Sequence, residues 1–410
     1  MLKRWSKTLS VLLVPLTASA LALPAAHAEA PAEAPAVRYL GTWRVWPGVV
    51  FRTFETSGPA GPVLGDLLEV DLRNPRVAVG LLHPPEVAAR RPVSLMAGAQ
   101  HAVAGVNGDF FNISESHPGV PPTGSSVGPE VANGRALKAA VPFGQRFGPP
   151  PPAGATTEDV IGVGADRTAR ISALHLTGTV DGPGPKVALA GLNQYALPVG
   201  GVGAFTSHWG SVSRLRAVCG TDADRAAPCS ADTEEATVRR GVVTRVGTAV
   251  GAGAIPADTT VLVGREAGAG TLRRLRPGDR VRIAYRLAGA RRLHFAVGGF
   301  AVLRDGAPRP DLDAVTLAAR TAAGVSRNGR RLYLVVADSK APASTGLTLA
   351  GTAALLRQVG ADDAMNLDGG GSTTLVLRGP GEPVASVRNA PSGGTERAVA
   401  NGIGVFVRAG

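Results

Sequence analysis

Alternating hydrophobic and polar positions run through most of this chain and predict strands. Near the amino terminus, GVVFRTFET and GDLLEVDLRNPRVAVGLLH alternate with the two-residue period of a half-buried strand, and Asn74-Pro75 marks a turn. The next segment, VSLMAGAQHAVAGVNGDFF, predicts a short helix leading into a buried strand that ends at Asn107-Gly108-Asp109. We therefore expect polar chemistry at the carboxyl end of that strand.

A strand-rich internal region extends from residue 150 to residue 292. It begins within the proline-rich stretch GPPPPAG (148–154). It contains short runs such as GVVTRVG, TTVLVG and RVRIAYRL between glycine-rich turns. The proline stretch fits a domain linker and a surface excursion within one domain equally well.

The carboxyl-terminal part mixes strands with a helix. From Ala296 onward come VGGFAVLRDG, ARTAAGV, the strong strand RRLYLVVAD, the apparent helix TLAGTAALLRQVG, MNLDGGGSTTLVLRG and NGIGVFV. The chain shows no convincing internal repeat. Many strand runs with only two or three helices favour an α+β fold, with mixed, strand-rich sheets and a few helices packed on them.

The first 28 residues have the pattern of a signal peptide. Lys3, Arg4 and Lys7 precede an apolar run, and Ala26-His27-Ala28 gives the small-x-small pattern of a cleavage site. An uncleaved membrane anchor is the weaker alternative because the run is short for a span. Residues 29–37, EAPAEAPAV, read as a Pro/Ala tether. We expect a secreted or cell-wall-associated protein, folded over residues 38–410 and without a stable membrane span after cleavage.

Composition and charge narrow the choice of partners. The 410 residues are 44% hydrophobic and 18% charged, which excludes a disordered chain, and loss of the signal peptide lowers the formal net charge from +12 to +9. This basicity favours anionic surfaces such as phosphate-rich cell-wall polymers, or simply solubility. Nucleic acid is not an expected partner, because aromatic residues make up only 4% and no nucleic-acid-binding module is recognisable.

The two cysteines, Cys219 and Cys229, lie ten positions apart in a polar segment. In an oxidising exterior this spacing predicts one local disulfide. Loop-closure entropy predicts that it stabilises the folded state by roughly 2 to 3 kcal/mol. Metal ligation is the weaker alternative because no histidine is close in sequence.

Three consecutive glycines in MNLDGGGST raise a choice between two structures. Without Cβ atoms, Gly369, Gly370 and Gly371 can turn their amide N–H groups toward an anion and form a nest. A tight turn leading into the strand TTLVLR is an equally good interpretation, because Asp-Gly is an ordinary hairpin signal. A Walker loop is excluded, since the lysine is missing and the glycines precede a strand.

Other candidate residues have weaker signals. Asn107-Gly108 is either a plain turn or the polar mouth of a buried strand, and Arg320 offers a guanidinium fork to a phosphate or carboxylate. His117, His208 and His294 show no metal-binding spacing and fit structural roles better. Gly-x-Ser-x-Gly is absent, so a serine hydrolase has no support.

Five segments together resemble one known family, the phosphodiester glycosidases. They are GVNGDFF (105–111), PTG (122–124), VGGFAVLRDG (297–306), ARTAAGV (319–325) and MNLDGGGSTTLVL (365–377), which NAPSGGTERAVANGIGVFV follows. The resemblance spans most of residues 65–408 and is most specific over the last hundred. The family is similar to the catalytic domain of the mannose-6-phosphate uncovering enzyme, which removes N-acetylglucosamine from a sugar–phosphate–sugar diester.

The resemblance implies a hydrolase that cleaves the glycosidic bond of a sugar-1-phosphodiester, in a cell-wall polymer, exopolysaccharide or glycolipid. It implies no cofactor, although a divalent metal is not excluded. Asp109 and Asp368 match family motifs and are expected to be the carboxylates that serve the anomeric carbon. The substrate is expected to contact the remaining matched positions: Asn107, Gly108, Arg320, Asn366, Gly369, Gly370, Gly371, Ser372, Thr373 and Arg397. For Asn366 a helix cap is the structural alternative.

Two departures from the family pattern bear on activity. Asp338-Ser339-Lys340 stands where Asp-Gly-Arg is common in the family. Family members often have a glutamate after Gly-Met-Thr-Leu, whereas this chain has TGLTLAGTA, with Gly351. A non-catalytic protein that binds a carbohydrate or phosphate polymer is therefore an alternative. A metal-dependent phosphodiesterase is a third hypothesis, disfavoured because no His/Asp cluster is evident.

Overall fold

The computed structural model describes residues 36–340 and 343–408. The predicted signal peptide and residues 29–35 of the predicted tether lie outside the described residues. The described residues belong to one compact unit. Among the described residues, no helix has both the length and the apolar character needed to cross a membrane.

Strands account for nearly all the regular secondary structure in the first half of the unit, as the alternating pattern predicted. In chain order its strands are β1 (Arg38–Trp46), β2 (Val49–Gly58), β3 (Gly61–Asp71), β4 (Val77–Leu82), β5 (Ala104–Asn107), β6 (Glu130–Ala132), β7 (Arg135–Lys138), β8 (Asp159–Gly164), β9 (Ala169–Ala173), β10 (His175–Asp181), β11 (Val187–Ala188), β12 (Gly191–Leu192) and β13 (Val202–Phe205).

The second half adds more strands and most of the helical residues. Its strands are β14 (Thr233–Arg239), β15 (Val242–Gly247), β16 (Thr259–Arg265), β17 (Arg282–Ala288), β18 (Leu293–Gly298), β19 (Phe300–Arg304), β20 (Ala307–Pro308), β21 (Arg320–Val325), β22 (Arg331–Ala337), β23 (Asp363–Asn366), β24 (Leu375–Leu377), β25 (Ser386–Val387) and β26 (Gly402–Val407). The described α-helices are α1 (Val93–Ala99), α2 (Ala267–Leu272) and α3 (Leu349–Gln358). This content confirms the predicted α+β class.

The strands form five sheets. The largest has eight strands in the order β1-β2-β3-β22-β21-β23-β19-β20, and a five-stranded sheet has the order β25-β24-β5-β26-β4. Two more five-stranded sheets have the orders β7-β6-β18-β8-β9 and β12-β13-β16-β14-β15, and a small sheet contains β11-β10-β17. All pairings are antiparallel except β12 with β13, which fits a chain built mainly from hairpins.

Continuous apolar runs became the strands buried on both faces. In β22, RLYLVVA, every residue after Arg331 is buried, and in β5 all four residues are buried. A strand covered on both faces has no need of polar alternation. Helix α3 begins after Thr348, whose side chain accepts a hydrogen bond from the Gly351 N–H, and it packs on β19, β21 and β23.

The strand ends that carry the candidate chemistry belong to different sheets. β5 ends at Asn107 in one five-stranded sheet, β23 ends at Asn366 in the eight-stranded sheet, and β18 ends at Gly298 in a third. The backbone hydrogen bond from Asp368 N to Gly108 O (2.8 Å) joins the segments that follow the first two. The bond from Asn107 N to Thr374 O (3.2 Å) extends the pairing of β5 with β24. The fold thus brings the two most distant motifs of the sequence together.

Candidate active site

Asn107 is the link between the NGD and DGGGST motifs. Its side chain is fully buried, and its Nδ2 donates to the Asp368 carbonyl at 2.6 Å. Its Oδ1 accepts from Thr321 Oγ1 at 2.6 Å and from Thr374 N at 3.0 Å. With both ends of the amide occupied, Asn107 fixes the backbone at Asp368 and does not offer its side chain to a sugar.

Gly108 is required where it stands because another side chain already fills the space. A Cβ placed on Gly108 would lie 2.2 Å from Asn401 Oδ1. That same oxygen accepts a hydrogen bond from Asp109 N at 2.8 Å. Gly108 therefore allows Asn401 to set the direction in which the chain enters Asp109.

Asp109 is enclosed by the protein. Its Oδ1 accepts from Phe110 N at 2.8 Å and its Oδ2 from Gly128 N at 2.5 Å, and only 2% of the residue is exposed. Burial raises the pKa of Asp109 to about 7, partly offset by the Gly128 amide and the charge of Lys138. Asp109 is thus a carboxyl group that titrates near neutrality inside the fold.

Two other buried ionisable residues, Lys138 and Glu130, lie near Asp109. Lys138 donates to the carbonyls of Gly128 (2.5 Å) and Ala139 (2.8 Å), and burial lowers the pKa of Lys138 to about 8. Glu130 Oε1 accepts from Asn401 Nδ2 at 2.8 Å and from Ser126 Oγ. The network joins Asn401, which holds Asp109, to two ionisable groups that the sequence analysis did not single out.

The space in front of Asp109 is nearly closed. Phe110 and Phe300 stack with ring centroids 5.7 Å apart, and the Arg146 guanidinium lies over both rings. The proline-rich stretch 148–154 crosses here, with Pro151 lining a cavity of only about 10 Å³. A cavity of this size holds at most one water molecule, so a substrate reaches Asp109 only if this cover moves.

Asp368 has a more open environment than Asp109. The residue is partly exposed, and Gly369 N donates to its Oδ1 at 3.0 Å. Desolvation raises the pKa of Asp368 to about 6, whereas a hydrogen bond from Ser372 and the charge of Arg397 lower it. A carboxyl group with this pKa can exist in both protonation states near neutral pH.

Arg397 is an exposed cation beside Asp368. Its Nη1 donates to Ser372 Oγ at 3.3 Å, and a Cβ on Gly371 would lie 2.3 Å from its Nη2. Gly371 therefore makes room for the guanidinium. Arg397 is an exposed residue and forms no salt bridge with any other described residue.

The glycine bend matches the tight turn, one of the two expectations, better than the anion nest. Gly370–Ser372 forms a single 3₁₀ turn. Gly369 N donates to Asp368 Oδ1, Gly370 N to Ala319 O at 2.7 Å, and Ser372 N to Gly369 O at 3.1 Å. Two of the three glycine amides, those of Gly369 and Gly370, are thus already satisfied within the protein, which favours a tight turn leading into a strand.

Arg320 also differs from its expected role. The residue is buried, its Nε donates to Leu347 O at 2.9 Å, and its Nη2 donates to Thr316 O at 2.8 Å. Two of the three guanidinium nitrogens thus bind backbone carbonyls, because the loop at 316–319 and residue 347 need donors there. Arg320 orders this loop beside Gly369 and is not placed as a free phosphate ligand.

Asn366 ends strand β23 and caps no helix, since α3 ends at Gln358. Its Nδ2 donates to Leu367 O at 2.8 Å, while its Oδ1 is buried without a hydrogen-bond partner. The hydroxyls of Thr373 and Thr374 are also buried and unpartnered. Three unsatisfied polar atoms this close in sequence are unusual for a purely structural turn.

A buried carboxylate pair lies next to this turn. Asp338 accepts from Asn389 Nδ2 (3.0 Å) and Ala390 N (3.0 Å), and Asn389 Nδ2 also donates to Thr373 O at 3.2 Å. Desolvation and the neighbouring charge of Asp338 raise the pKa of Asp66 to about 7. Asp66 gave no sequence signal because it occupies a polar position of an alternating strand.

Cys219 and Cys229 form the predicted disulfide. His117 lies against it, and these three residues are the one group of metal-type ligands within binding distance among the described residues. Glu115 binds His117 and Arg216, which also donates to Gln145 Oε1 at 2.8 Å. The group is remote in sequence from Asp368, and two of its members are consumed by the disulfide.

Sequence reasoning found part of this arrangement. The structure brings Asn107, Gly108, Asp368 and Gly369 into direct contact, with Ser372 and Arg397 beside them. Sequence reasoning missed the residues that support this arrangement, which are Asp66, Glu130, Lys138, Arg146, Asn389 and Asn401. Of these, Asn389 and Asn401 had a usable signal, because both lie in the family-like stretch NAPSGGTERAVANGIGVFV.

Comparisons with known proteins agree with the resemblance seen in the sequence. Residues 232–406 match the family model described as phosphodiester glycosidase (NAGPA). A hypothetical protein from Synechocystis has a TM-score of 0.69 at 21% identity over 92% of this chain, which spans 65% of that protein. A Burkholderia pseudomallei K96243 protein, described as a candidate exported protein, has a TM-score of 0.69 at 20% identity over 95% of this chain and 100% of its own. These two likenesses establish the fold.

The catalytic domain of zebrafish N-acetylglucosamine-1-phosphodiester alpha-N-acetylglucosaminidase, auto-inhibited by its pro-peptide, gives a TM-score of 0.41 at 16% identity, over 92% of this chain and 89% of that one. No curated protein matches the sequence.

Proposed function

We propose that this protein is an exported hydrolase that cleaves the glycosidic bond of a sugar-1-phosphodiester, with Asp368 as the acting carboxylate. One observation carries the proposal. Asp368, with its pKa raised to about 6, is held by Asn107 and Gly108 next to the exposed guanidinium of Arg397. A titratable carboxyl group beside a free cation is what a reaction at a sugar joined to an anionic phosphate requires.

Arg397 is proposed to bind the phosphate. Guanidinium donates two parallel hydrogen bonds to a phosphate, and its positive charge stabilises the monoester that departs. Ser372 fixes the guanidinium through its Oγ. The leaving group is then already stabilised, and the main chemical demand falls on the anomeric carbon.

Asp368 is proposed to serve that carbon. Positive charge develops there, and a carboxylate stabilises it, attacks it or activates a water molecule. A group with a pKa of about 6 is close to the value that general acid–base chemistry favours near neutral pH. Asp109 is proposed as the second carboxyl group of the site, available when the proline-rich cover over its cavity opens.

Export is part of the proposal. The amino-terminal sequence has the pattern of a signal peptide, and the one disulfide fits an oxidising compartment. The substrate class follows from location and chemistry together, a phosphodiester-linked glycan of the cell envelope or a secreted polysaccharide.

The bond that breaks decides the proposal. Purified protein is incubated with a synthetic sugar-1-phosphodiester in ¹⁸O-water, and the products are identified by mass spectrometry. We expect free sugar carrying the label and an unlabelled phosphate monoester. Sugar-1-phosphate with labelled phosphate would mean P–O cleavage and would overturn the proposal. Treatment with a chelator in the same assay tests the metal-dependent alternative, which requires loss of activity and rescue by a divalent ion.

A binding protein without turnover is the second candidate. The closed cavity at Asp109, the use of the Arg320 guanidinium on backbone carbonyls, and Gly351 in place of a glutamate favour it. In the same experiment it would give saturable binding of the intact diester and no product.

A further inference from the structure

A wide groove lies at the β17–β18 hairpin, away from Asp368 in sequence. It encloses about 700 Å³ between the end of β17, the start of β18, the β6–β7 turn and His208. Residues 285–293 and 134–136 provide most of its walls. This volume is in the range of sites that hold a ligand of several rings.

The charge of the groove is entirely positive. Arg135, Arg286, Arg291 and Arg292 line it, and no aspartate or glutamate does. All four are exposed, and none forms a salt bridge or side-chain hydrogen bond among the described residues. Outside the groove lining, the charge of Arg291 is among the causes of the lowered pKa of Asp166, after the hydrogen bond from Arg170. Four free guanidinium groups around one concave surface create a strong local attraction for anions.

Two further groups shape the groove. The Tyr285 ring is 38% exposed and lies in the wall, where it offers an apolar face to a sugar ring. The charge of Arg135 also contributes to the lowered pKa of His208, after burial and His83. The positive charge at the groove thus also affects the half-buried imidazole of His208.

One strand connects the groove to the Asp109 region. β18 begins at Leu293 in the groove wall and ends at Gly298, where a Cβ would lie 2.4 Å from Asp109 Oδ2. Five residues of strand span roughly 17 Å. A ligand that occupies the groove while another of its units is at the candidate active site must therefore be a chain of several units.

We propose that this groove binds a linear phosphodiester-linked glycan several units away from the bond to be cleaved. The inference rests on the proposed function for its substrate class and adds that the natural substrate is a polyanionic polymer. Nucleic acid fits less well, because single-strand binding uses a series of aromatic side chains and Tyr285 is alone in the wall.

Binding is measured separately from turnover, by fluorescence anisotropy with a labelled synthetic oligomer of six hexoses joined by phosphodiesters. The protein carries Asp368→Asn in this assay, so that the probe stays intact. The groove variant adds Arg286→Gln, Arg291→Gln and Arg292→Gln. The control variant adds Arg274→Gln, Arg280→Gln and Arg357→Gln, which removes the same charge from exposed arginines outside the groove.

We expect the groove variant to bind at least tenfold more weakly and the control to change less than threefold. The slope of log Kd against log salt should be smaller for the groove variant than for the control, because binding then neutralises fewer phosphates and releases fewer counterions. Equal losses in both variants would overturn the inference. Equal affinity for an uncharged six-unit glucan, or tighter binding of a thymidine oligonucleotide with the same number of phosphates, would overturn it too.

Turnover of a short sugar-1-phosphodiester separates this inference from the proposed function. With Asp368 restored, the groove variant should keep the wild-type kcat and KM for the short diester. Specific binding without any turnover would reject the proposed function and leave a glycan-binding groove. Turnover of the short diester without groove-dependent binding of the oligomer would reject the groove alone.

Discussion

Two aspartates of similar sequence context acquire different chemistry from their surroundings. Asp109 has two backbone N–H donors and almost no exposed surface, whereas Asp368 is partly exposed and has Arg397 and Ser372 beside it. Desolvation raises the pKa of both. Of the two residues, only Asp368 is partly exposed and has an arginine side chain beside its carboxyl group.

Asp368→Asn should lower kcat for a sugar-1-phosphodiester by roughly 10²- to 10⁴-fold, because the amide cannot act as acid, base or nucleophile. The matched control is Asp305→Asn. Asp305 is exposed, and asparagine accepts its positive φ of 49°. The control should retain wild-type kcat. A rate for Asp368→Asn within threefold of wild type would remove this residue from the mechanism.

Asp109→Asn should change how stability depends on pH. The folded-state pKa of Asp109, about 7, lies above the ordinary value of 3.8 for an aspartate side chain. Its contribution to stability is therefore complete below pH 3.8 and is lost as the pH rises through about 7. Asparagine does not titrate, so wild type should lose stability relative to the variant between pH 4 and 7, on the order of a few kcal/mol.

Urea unfolding at pH 4, 5.5 and 7 measures this difference and stays below the lowered pKa of Lys138, about 8. The Asp305→Asn control should keep a constant offset from wild type over the same range. A constant offset for Asp109→Asn as well would mean that Asp109 is solvated in the folded protein.

Residue-level prediction from the sequence succeeded where a motif set the local backbone. The NGD and DGGGST segments were identified, and they do meet. Arg320 was misjudged because a sequence does not show which carbonyls lack donors. Lys138 was missed because RALKAAV alternates like an ordinary exposed strand, and nothing in it reveals that Gly128 and Ala139 supply buried acceptors.

At the level of elements, the site depends on a close approach of two strand ends. The Cα atom of Gly298 lies 2.7 Å from where a Cβ on Gly128 would be, and Asp109 Oδ2 lies 3.0 Å from the same point. Side chains at either glycine would separate β18 from the segment before β6. The stretch VGGF thus serves packing, which its sequence resemblance alone did not explain.

Gly298→Ala should destabilise the protein by about 1–3 kcal/mol, because its Cβ would clash with Asp109 and with the Gly128 backbone. The matched change is Gly98→Ala in α1, where nothing lies within 4 Å of the new Cβ. That variant should be stabilised by about 0.5–1 kcal/mol, the usual gain from alanine in a helix. Chemical denaturation of both tests the pair, and equal effects would mean that the strand ends are not tightly packed.

Elements were the best-predicted level. The periodic and continuous apolar runs predicted strands β2, β3, β5 and β22, and the periodicity of TLAGTAALLRQVG predicted α3. How the sheets assemble was not predictable, because long-range antiparallel pairing such as β3 with β22 leaves no local mark in the chain.

In the whole molecule, the strand-rich internal region shares its core with the rest of the fold. Phe205, Val261 and Val263 of this region pack in the same cluster as Leu67 and Val335 of the eight-stranded sheet. Its opposite face forms a smaller cluster that includes Ala204 and Leu262. Separate unfolding of this sheet would expose apolar surface of the common core to water, which is unfavourable.

We therefore expect residues 36–408 to unfold in one cooperative transition. Tryptophans in two parts of the fold report on this transition. Trp209 is fully buried in the internal region, whereas Trp43 and Trp46 lie in β1. In a chain starting at residue 29, a Trp43→Phe/Trp46→Phe variant leaves Trp209 as the reporter, and a Trp209→Phe variant leaves the β1 pair. Within each variant, the fluorescence midpoint should coincide with the midpoint from far-UV circular dichroism. An earlier fluorescence transition in the Trp209 reporter alone would show that residues 150–292 form an independently unfolding subdomain, and the common core would then contribute little to holding the Asp109 strand ends together.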